Sequence, residues 1–397
     1  MNNLNGKTVL IITDNPFPPD PRIKRQTKAL LKAGAKVVIF SLRYDKITPK
    51  IERNENLIIY RLYIKKFLAN KLKASILRFS FYTNFISAQI KNAIIELNIN
   101  IDVVQICDLP LSCIGENIKN KYYVPLIVDF REPYTCLLED SIHTKKLFGN
   151  YFYNKELWSE YEQKILDTAD AIICVNDESS KRFPSVYKEK MKIVPNCVDL
   201  EDFKDIKIKD MIKKIKKFRM IHFGGVSKIK GCQNVILNLH KLIKIIPNVE
   251  YVIVGNGKYL RELQNLAEKL RLNDHVTFKG WMNYYEGNCF LNEADVGMIS
   301  DLRCSTNDFG DPNRLYQYMM MKKPVVATDC PPVERIIKDS DCGITYSDTK
   351  SGFVEAIDEI YNCPGKAKLY GENGNSSILN KYNWDIASKD YISIFNN

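Results

Sequence analysis

Short apolar runs alternate along this chain with stretches whose apolar residues fall three and four apart. The short runs read as buried strands and the spaced stretches as helices. In the first half the strand runs are Lys7 to Thr13, Lys36 to Leu42, Asp102 to Cys107, Pro125 to Pro133, Ala171 to Val175 and Lys192 to Asn196. In the second half they are Arg219 to Phe223, Val249 to Val254, Val276 to Trp281, Ala294 to Ser300 and Pro324 to Ala327. Continuous apolar strands separated by helix-length segments predict parallel sheets built from βαβ units and covered on both faces.

Several helices carry their own start and stop signals. Asp20 caps a helix, Pro21 opens it and Gly34 closes it. Asp108-Leu-Pro begins another helix, and Trp158 to Ala169 forms a third. Val235, Leu239, Leu242 and Ile246 make one apolar stripe. Tyr63 to Leu97 reads as one long helical region. Its first part mixes Lys65, Lys66, Lys71, Lys73 and Arg78 with Phe67, Leu68, Leu72, Ile76, Leu77, Phe79, Phe81 and Phe85. Such a helix either lies on anionic lipid or covers a sheet and leaves its lysines in water.

The segment from Asn307 to Thr328 reads as loop, helix, stop and strand. Asp311 is the expected N-cap, Pro312 the first helical residue, and Lys322 and Lys323 the last turn before Pro324. The helix body is apolar nearly all round, which predicts burial. Asn313 and Gln317 break that surface and, four apart, share one face. Either this amide pair satisfies a neighbouring loop or it meets a ligand. The free amides at the helix start suit an anion such as a phosphate.

A chain of 397 residues has room for two or three domains. Eight basic residues between Lys204 and Arg219 separate the two series of strands and helices, and the domain boundary is expected there. A net charge of +11 suits phosphorylated ligands, nucleic acid or an anionic membrane surface. The basic run lacks interleaved aromatics for base stacking, which counts against nucleic acid. The eleven cysteines are odd in number, include no Cys-x-x-Cys pair and sit mostly in apolar runs. That pattern points to buried thiols in a reducing compartment, not to a disulfide frame or a zinc site. Val9 to Ile12 is too short for a secretory leader, and no stretch reaches the ~18 apolar residues of a membrane span.

Candidate chemistry collects at strand ends. Gly224 and Gly225 follow one strand, Gly255-Asn-Gly257 the next, and both turns lie along one crevice edge. Lys230 places a cation at the mouth of the first turn. Asp129, Arg131 and Glu132 end a strand of the first half, where open parallel sheets bind ligands; internal ion pairing is the alternative. Four dispersed histidines offer no catalytic cluster. Asp339-Ser-Asp341 could hold a divalent cation but is also an ordinary loop tripeptide. No phosphate-binding P-loop and no nucleophile elbow is present.

In order, these segments resemble the family-4 glycosyltransferases of the GT-B fold over nearly the whole chain. The resemblance rests on Pro18 to Ile23, Val128 to Pro133, Ala169 to Val175, Ile193 to Asp199, Gly224-Gly225 with Lys230-Gly231, Val254 to Gly257, Val276 to Gly280, Ala294-Asp295 and Asp311 to Thr328. It implies an α/β protein of two Rossmann-like domains facing a central cleft. Residues 1–203 would form the acceptor-side domain, 204–217 a basic linker and 218–375 the nucleotide-sugar domain. A C-terminal helix in 376–397 would cross back to the first domain. Lys230 would neutralise the donor diphosphate beside Gly224, Gly225, Gly255 and Gly257. Gly310, Asp311 and Asn313 would offer amides to sugar and phosphate, Gln317 would hold the ribose hydroxyls, and Gly280 and Trp281 would lie near the base. Pro19, Asp20, Asp129, Arg131 and Glu132 would line the acceptor side, with Lys230, Arg131 and Gln317 as the catalytic set. No metal or other cofactor is required, because helix dipoles and cations stabilise the departing diphosphate.

The chain departs from the family pattern at several places, and the family's histidine positions in the first domain hold Gln105, Cys107 and Arg131. Gln317 stands where a Glu is usual. Phe309 takes the place of the second carboxylate, for which Asp308 or Asp311 could substitute. Gly225 replaces an Arg, leaving Arg314 or Arg303 to supply that cation. The function expected is a retaining glycosyltransferase moving a sugar from a nucleotide-sugar to a glycan or lipid-linked acceptor, in surface polysaccharide or lipopolysaccharide assembly. It would be cytoplasmic, with peripheral attachment at the inner membrane face as an open alternative and no nucleic-acid partner. The rivals are a nucleotide-sugar 2-epimerase on the same fold and a non-catalytic nucleotide- or glycan-binding protein.

Overall fold

The computed structural model describes residues 4–74, 76–140, 154–206, 217–347 and 352–396. It divides into two compact units, Met1–Pro195 with Ala387–Asn397, and Asn196–Ile386. Most of the basic run (207–216) lies outside the described residues.

The first unit is built on an eight-stranded sheet. Its strands are β1 (Thr8–Pro16), β2 (Lys36–Arg43), β3 (Ile51–Asn54), β4 (Leu57–Tyr63), β5 (Val103–Cys107), β6 (Leu126–Phe130), β7 (Ala171–Cys174) and β8 (Met191–Ile193). Their spatial order is β3-β4-β2-β1-β5-β6-β7-β8, parallel except for the β3–β4 pair at the edge. From β1 the chain first builds outward through β2 and β4, then returns to β5 on the other side. The switch point of this sheet therefore lies between the C-terminal ends of β1 and β5, the place where open α/β sheets bind ligands.

Local chemistry explains the first helix. Asp20 Oδ1 accepts the amides of Arg22 (3.1 Å) and Ile23 (3.0 Å), and Pro21 occupies the first turn of the helix Pro21–Lys32. The helical region expected from Tyr63 to Leu97 starts later, because Tyr63 still belongs to β4, and it is two helices, Lys66–Ala74 and Phe81–Glu96. The second buries Tyr82, Ile86, Ile90, Ala93 and Ile94 but leaves Phe81 and Phe85 exposed. After β5, Asp108 has a left-handed backbone (φ 68°). A 3-10 turn, Leu109–Leu111, precedes the helix Ser112–Tyr122, so Asp108-Leu-Pro does not open an α-helix directly.

The second unit has a six-stranded, wholly parallel sheet: β9 (Phe218–Phe223), β10 (Val249–Val254), β11 (Val276–Gly280), β12 (Val296–Ile299), β13 (Val325–Thr328) and β14 (Gly343–Tyr346). The order is β11-β10-β9-β12-β13-β14. The chain runs outward from β9 to β11, then crosses to β12, so the second switch point falls between β9 and β12. The helix Cys232–Ile243 begins at Gly231 with no side-chain cap. Val235, Leu239, Leu242 and Ile246 are all fully buried. At about 2–3 kcal/mol for each buried aliphatic side chain, that stripe far outweighs a missing cap worth about 1 kcal/mol.

The last helix, Trp384–Ser393, carries the chain back into the first unit from Ala387 on. There Tyr391 is fully buried and donates to Gln105 Oε1 (2.7 Å), and Lys7 Nζ reaches the Phe395 carbonyl (2.7 Å).

Candidate functional site

At the β9–β12 switch point the two strands pair only at Val296–Met220 and Gly297–Ile221. Beyond that they part, and Tyr318 of the helix Asn313–Met320 fills the gap. Its hydroxyl accepts the Phe223 N–H (3.0 Å) and faces the carbonyls of Ile221 (3.1 Å) and Met298 (3.2 Å). Gly297 leaves room for the Tyr318 ring, since a Cβ there would stand 2.4 Å from it. The helix is thereby pinned across the sheet beside both strand ends.

Lys230 stands at this crevice. Its Nζ lies 3.1 Å from Asp301 Oδ2 and 3.0 Å from Asn307 Oδ1, with about a quarter of the side chain exposed. The loop that carries it is fastened to the loop after β12. Leu302 N donates to Ile229 O (2.8 Å), Asn307 Nδ2 to Ile229 O (2.9 Å), and Ser300 Oγ to Lys230 O (2.9 Å). Gly231 (φ 66°) passes so close to Ser300 that a Cβ would meet its carbonyl oxygen at 1.7 Å. Gly255 makes an equally close approach to the Gly224 carbonyl, so the two glycine turns touch backbone to backbone.

Asp301 is buried between two cations. Arg314 binds its Oδ1 and Lys230 its Oδ2. Burial opposes ionisation of this carboxyl, but Arg314 and then Lys230 outweigh burial and hold it below the ordinary carboxylate range. His222, at the end of β9, is fully buried and touches Gly225 O through Nε2 (3.3 Å). Burial first, then Arg314, pushes it down to about 3, so the ring is neutral at physiological pH. Asp301, Asn307, His222 and Tyr318 were not foreseen as site residues. Asp301 could have been, because it follows a strand run as Arg131 and Glu132 do.

The structure corrects several expectations at the Asn313–Met320 helix. Asp311 does not cap it. Pro312 takes the N-cap position with no side-chain bond, while Asp311 is buried, accepting from the Asn196 amide (2.7 Å) and the Tyr316 hydroxyl (2.8 Å). Asn313 and Gln317 do not form a buried pair. Asn313 is exposed, and Gln317 is 4% exposed and donates to Asn288 Oδ1 (2.9 Å). Lys322 and Lys323 lie past the helix end; Lys323 is buried on the Asn292 carbonyl (2.7 Å). Of the substitute groups, Asp308 pairs with exposed Arg303 (2.7 Å), which also approaches Asp329 (3.4 Å), and Arg314 is committed to Asp301. Gly310 is half-buried, its Cβ position 2.8 Å from Thr306 O. Gly280 (φ 72°) closes β11 and accepts the Gly255 amide (2.7 Å), while Trp281 is exposed. Asp339 is engaged by Lys381 and Tyr382, each at 2.7 Å.

At the β1–β5 switch point of the first unit, Arg131 bridges two carboxylates. It donates to Asp20 Oδ2 (2.6 Å) and, through Nε, to Asp108 Oδ2 (3.0 Å). Burial pushes the Asp108 carboxyl up, against the pull of Arg131. Asp129 is not part of this group. It is fully buried and held by Arg22 (2.8 and 2.9 Å) and Gln26 (2.7 Å), so it is an internal ion pair rather than an open acceptor-side carboxylate. Glu132 and Pro19 are exposed.

Two family descriptions match in tandem: Glycosyltransferase Family 4 over residues 22–202 and Glycosyl transferases group 1 over residues 203–377. The chain belongs to the family-4 glycosyltransferases. An uncharacterized glycosyltransferase of Methanocaldococcus jannaschii is 25% identical over 264 residues, 62% of each chain. The alpha-monoglucosyldiacylglycerol synthase of Streptococcus pneumoniae is 23% identical, covering 63% of this chain and 57% of that one. The match thus spans about three fifths of these relatives' length. Sucrose-phosphate synthase of Thermosynechococcus elongatus superposes with a TM-score of 0.75 at 14% identity, over 98% of both chains. Anabaena HepE in complex with UDP gives 0.68 at 13% identity, over 98% of this chain and 99% of that one. The fold is GT-B.

Proposed function

We propose that this protein transfers a sugar from a nucleotide-diphosphate sugar to a glycan or lipid-linked glycan, with retention of anomeric configuration, in surface polysaccharide or lipopolysaccharide assembly. The observation that carries the reading is the Lys230 ammonium, on the loop that follows the Gly224–Gly225 turn and held at the β9–β12 switch point by Asp301 and Asn307. A partly exposed cation beside closely approached backbone suits a diphosphate. The donor therefore sits in the second unit, and the Arg131, Asp20 and Asp108 group of the first unit belongs to the acceptor side.

In the transfer, the bond from the anomeric carbon to the diphosphate oxygen breaks and the acceptor hydroxyl oxygen takes that carbon on the same face. The hydroxyl proton passes to the departing diphosphate. Lys230 stabilises the charge that develops there. UDP in HepE and lipid glucosylation in the pneumococcal relative's name support a nucleotide donor and a lipid-linked acceptor.

Calorimetric titration with UDP, GDP and ADP tests the donor site. Wild type is expected to bind one of them at micromolar affinity, and Lys230→Ala to bind it at least ~30-fold more weakly, the loss of one charge-assisted contact of about 2 kcal/mol or more. Absence of binding to all three would overturn the reading. Donor binding without turnover on any acceptor would favour the non-catalytic rival, to which the closed Gln317–Asn288 pair lends some weight. Conversion of donor with no acceptor present would favour the epimerase.

A further inference from the structure

The donor reading assigns Lys230 a role but leaves the buried carboxylate beside it without one. Asp301 is 2% exposed, and its two oxygens face two different cations, Lys230 Nζ at 3.1 Å and the Arg314 guanidinium. A carboxylate that served only to neutralise a buried arginine would need no second partner. Here the second partner is the partly exposed lysine of the proposed diphosphate site.

The surroundings fix Asp301 more firmly than a packing ion pair requires. Its carbonyl accepts the Thr328 hydroxyl (2.6 Å) at the end of β13, and its neighbour Ser300 binds the Lys230 carbonyl (2.9 Å). Arg314 Nε has no partner among the described residues, so the guanidinium depends on Asp301 for its charge pairing. Asn307 supplies a neutral acceptor to the lysine from the other side (3.0 Å) and is itself tied to Ile229 O and Leu302 O. The ammonium is held by one charged and one neutral acceptor, both on fixed backbone.

We propose that Asp301 is the positioning residue of the donor site: it fixes the Lys230 ammonium at the switch point and, by dividing one negative charge between Lys230 and Arg314, limits the positive charge that the diphosphate meets. This inference rests on the donor reading given above. Lys230, Asp301 and Arg314 together carry one net positive charge. That is enough to draw in a diphosphate and low enough to let the product diphosphate go.

The test is Asp301→Asn, with nucleoside diphosphate affinity, kcat, KM and Tm measured against wild type. Loss of the carboxylate raises the local charge by one and frees the lysine. The diphosphate is expected to bind a few-fold tighter, as one added charge near a solvated site is worth roughly 1 kcal/mol. At the same time kcat is expected to fall roughly 10- to 100-fold, because a misplaced catalytic group costs about that much. Opposite movements of affinity and kcat would not arise from general loosening. A second variant, Asp301→Asn with Arg314→Met, removes the unmatched buried arginine and restores folding if the single variant unfolds. Its kcat is expected to stay low. If affinity and kcat fall together in the single variant and both recover in the double, Asp301 is only a structural pair and the proposal is overturned. Unchanged kcat in a folded Asp301→Asn protein overturns it too, while leaving the donor reading intact. Failure of wild type to bind any nucleotide would remove both.

Discussion

At the end of β9, His222 is fully buried, with Arg314, Asp301 and Lys230 as its charged neighbours and no partner for Nδ1 among the described residues. Its folded value of about 3 lies below the ordinary 6.5, burial being the main cause. On acidification the unfolded chain therefore takes up this proton first. The stability contributed by His222 is complete above about pH 6.5 and is lost as pH falls toward 3. At pH 5 the loss is about 2 kcal/mol. Urea unfolding at pH 7 and pH 5 is expected to show that His222→Gln, which can still donate to Gly225 O, escapes about that much of the wild-type decline. Equal declines would show that the ring is protonated without cost. At this same scale the position of Lys230 beyond the end of β9 was legible, because it follows an apolar strand run and a glycine turn. Asp301 and His222 were not, because each gains a role only from groups brought near by the sheet: Asp301 from Arg314, thirteen positions on, and His222 from the loop that folds back over it.

The strands could be read from their apolar runs, and the residues after them from the rule that ligands meet parallel strands at their C-terminal ends. Helix ends were less legible. Asp20 caps its helix as expected, but Asp311, followed by the same proline, does not, because the Asn196 amide and the Tyr316 hydroxyl compete for its carboxylate and win. A local signal holds until a tertiary partner offers the side chain more. Glycines give the sharpest test at this scale. Gly231 has φ 66° and no room for a Cβ beside Ser300 O, whereas Gly225 has nothing within 4 Å of where a Cβ would stand. Gly231→Ala is expected to cost about 2–4 kcal/mol and, by shifting the loop that holds Lys230, to weaken nucleoside diphosphate binding. Gly225→Ala should leave Tm nearly unchanged. Thermal denaturation of the two variants side by side checks this, and equal Tm values would mean that the Lys230 loop yields without cost.

Across the whole molecule the two series of strands announced two α/β units; the compact division falls after Pro195, a few residues before the basic run, and again after Ile386, and the two family matches meet at residues 202 and 203. Charge marks where a chain is solvated; compactness follows packing, and Val198 pairs with Asn383 inside the second unit before the basic run is reached. The surplus of +11 is likewise a property of the whole chain, and where it meets apolar surface it gains meaning. No described helix is long and apolar enough to cross a membrane. Yet Phe67, Leu68, Phe79, Phe81 and Phe85 are exposed on and between the helices Lys66–Ala74 and Phe81–Glu96, in a segment that also carries Lys65, Lys66 and Arg78. Of the two alternatives for this segment, covering the sheet is seen on its inner face, while its outer face keeps large aromatics exposed beside the basic residues. Basic residues near anionic lipid contribute about 1 kcal/mol each, and aromatic rings entering the interface add an apolar term that salt does not screen. The proposed lipid-linked acceptor gives such a face a use. The protein is therefore expected to sediment with vesicles rich in anionic lipid at low salt, far less with neutral vesicles, and to be partly released by high salt. Phe79→Ser with Phe81→Ser should lower vesicle binding about tenfold or more, at roughly 1 kcal/mol for each ring, while leaving nucleotide binding in the second unit unchanged. If wild type ignores anionic vesicles at low salt, the lysines of this face serve only to keep it solvated, and the acceptor must reach the enzyme through water.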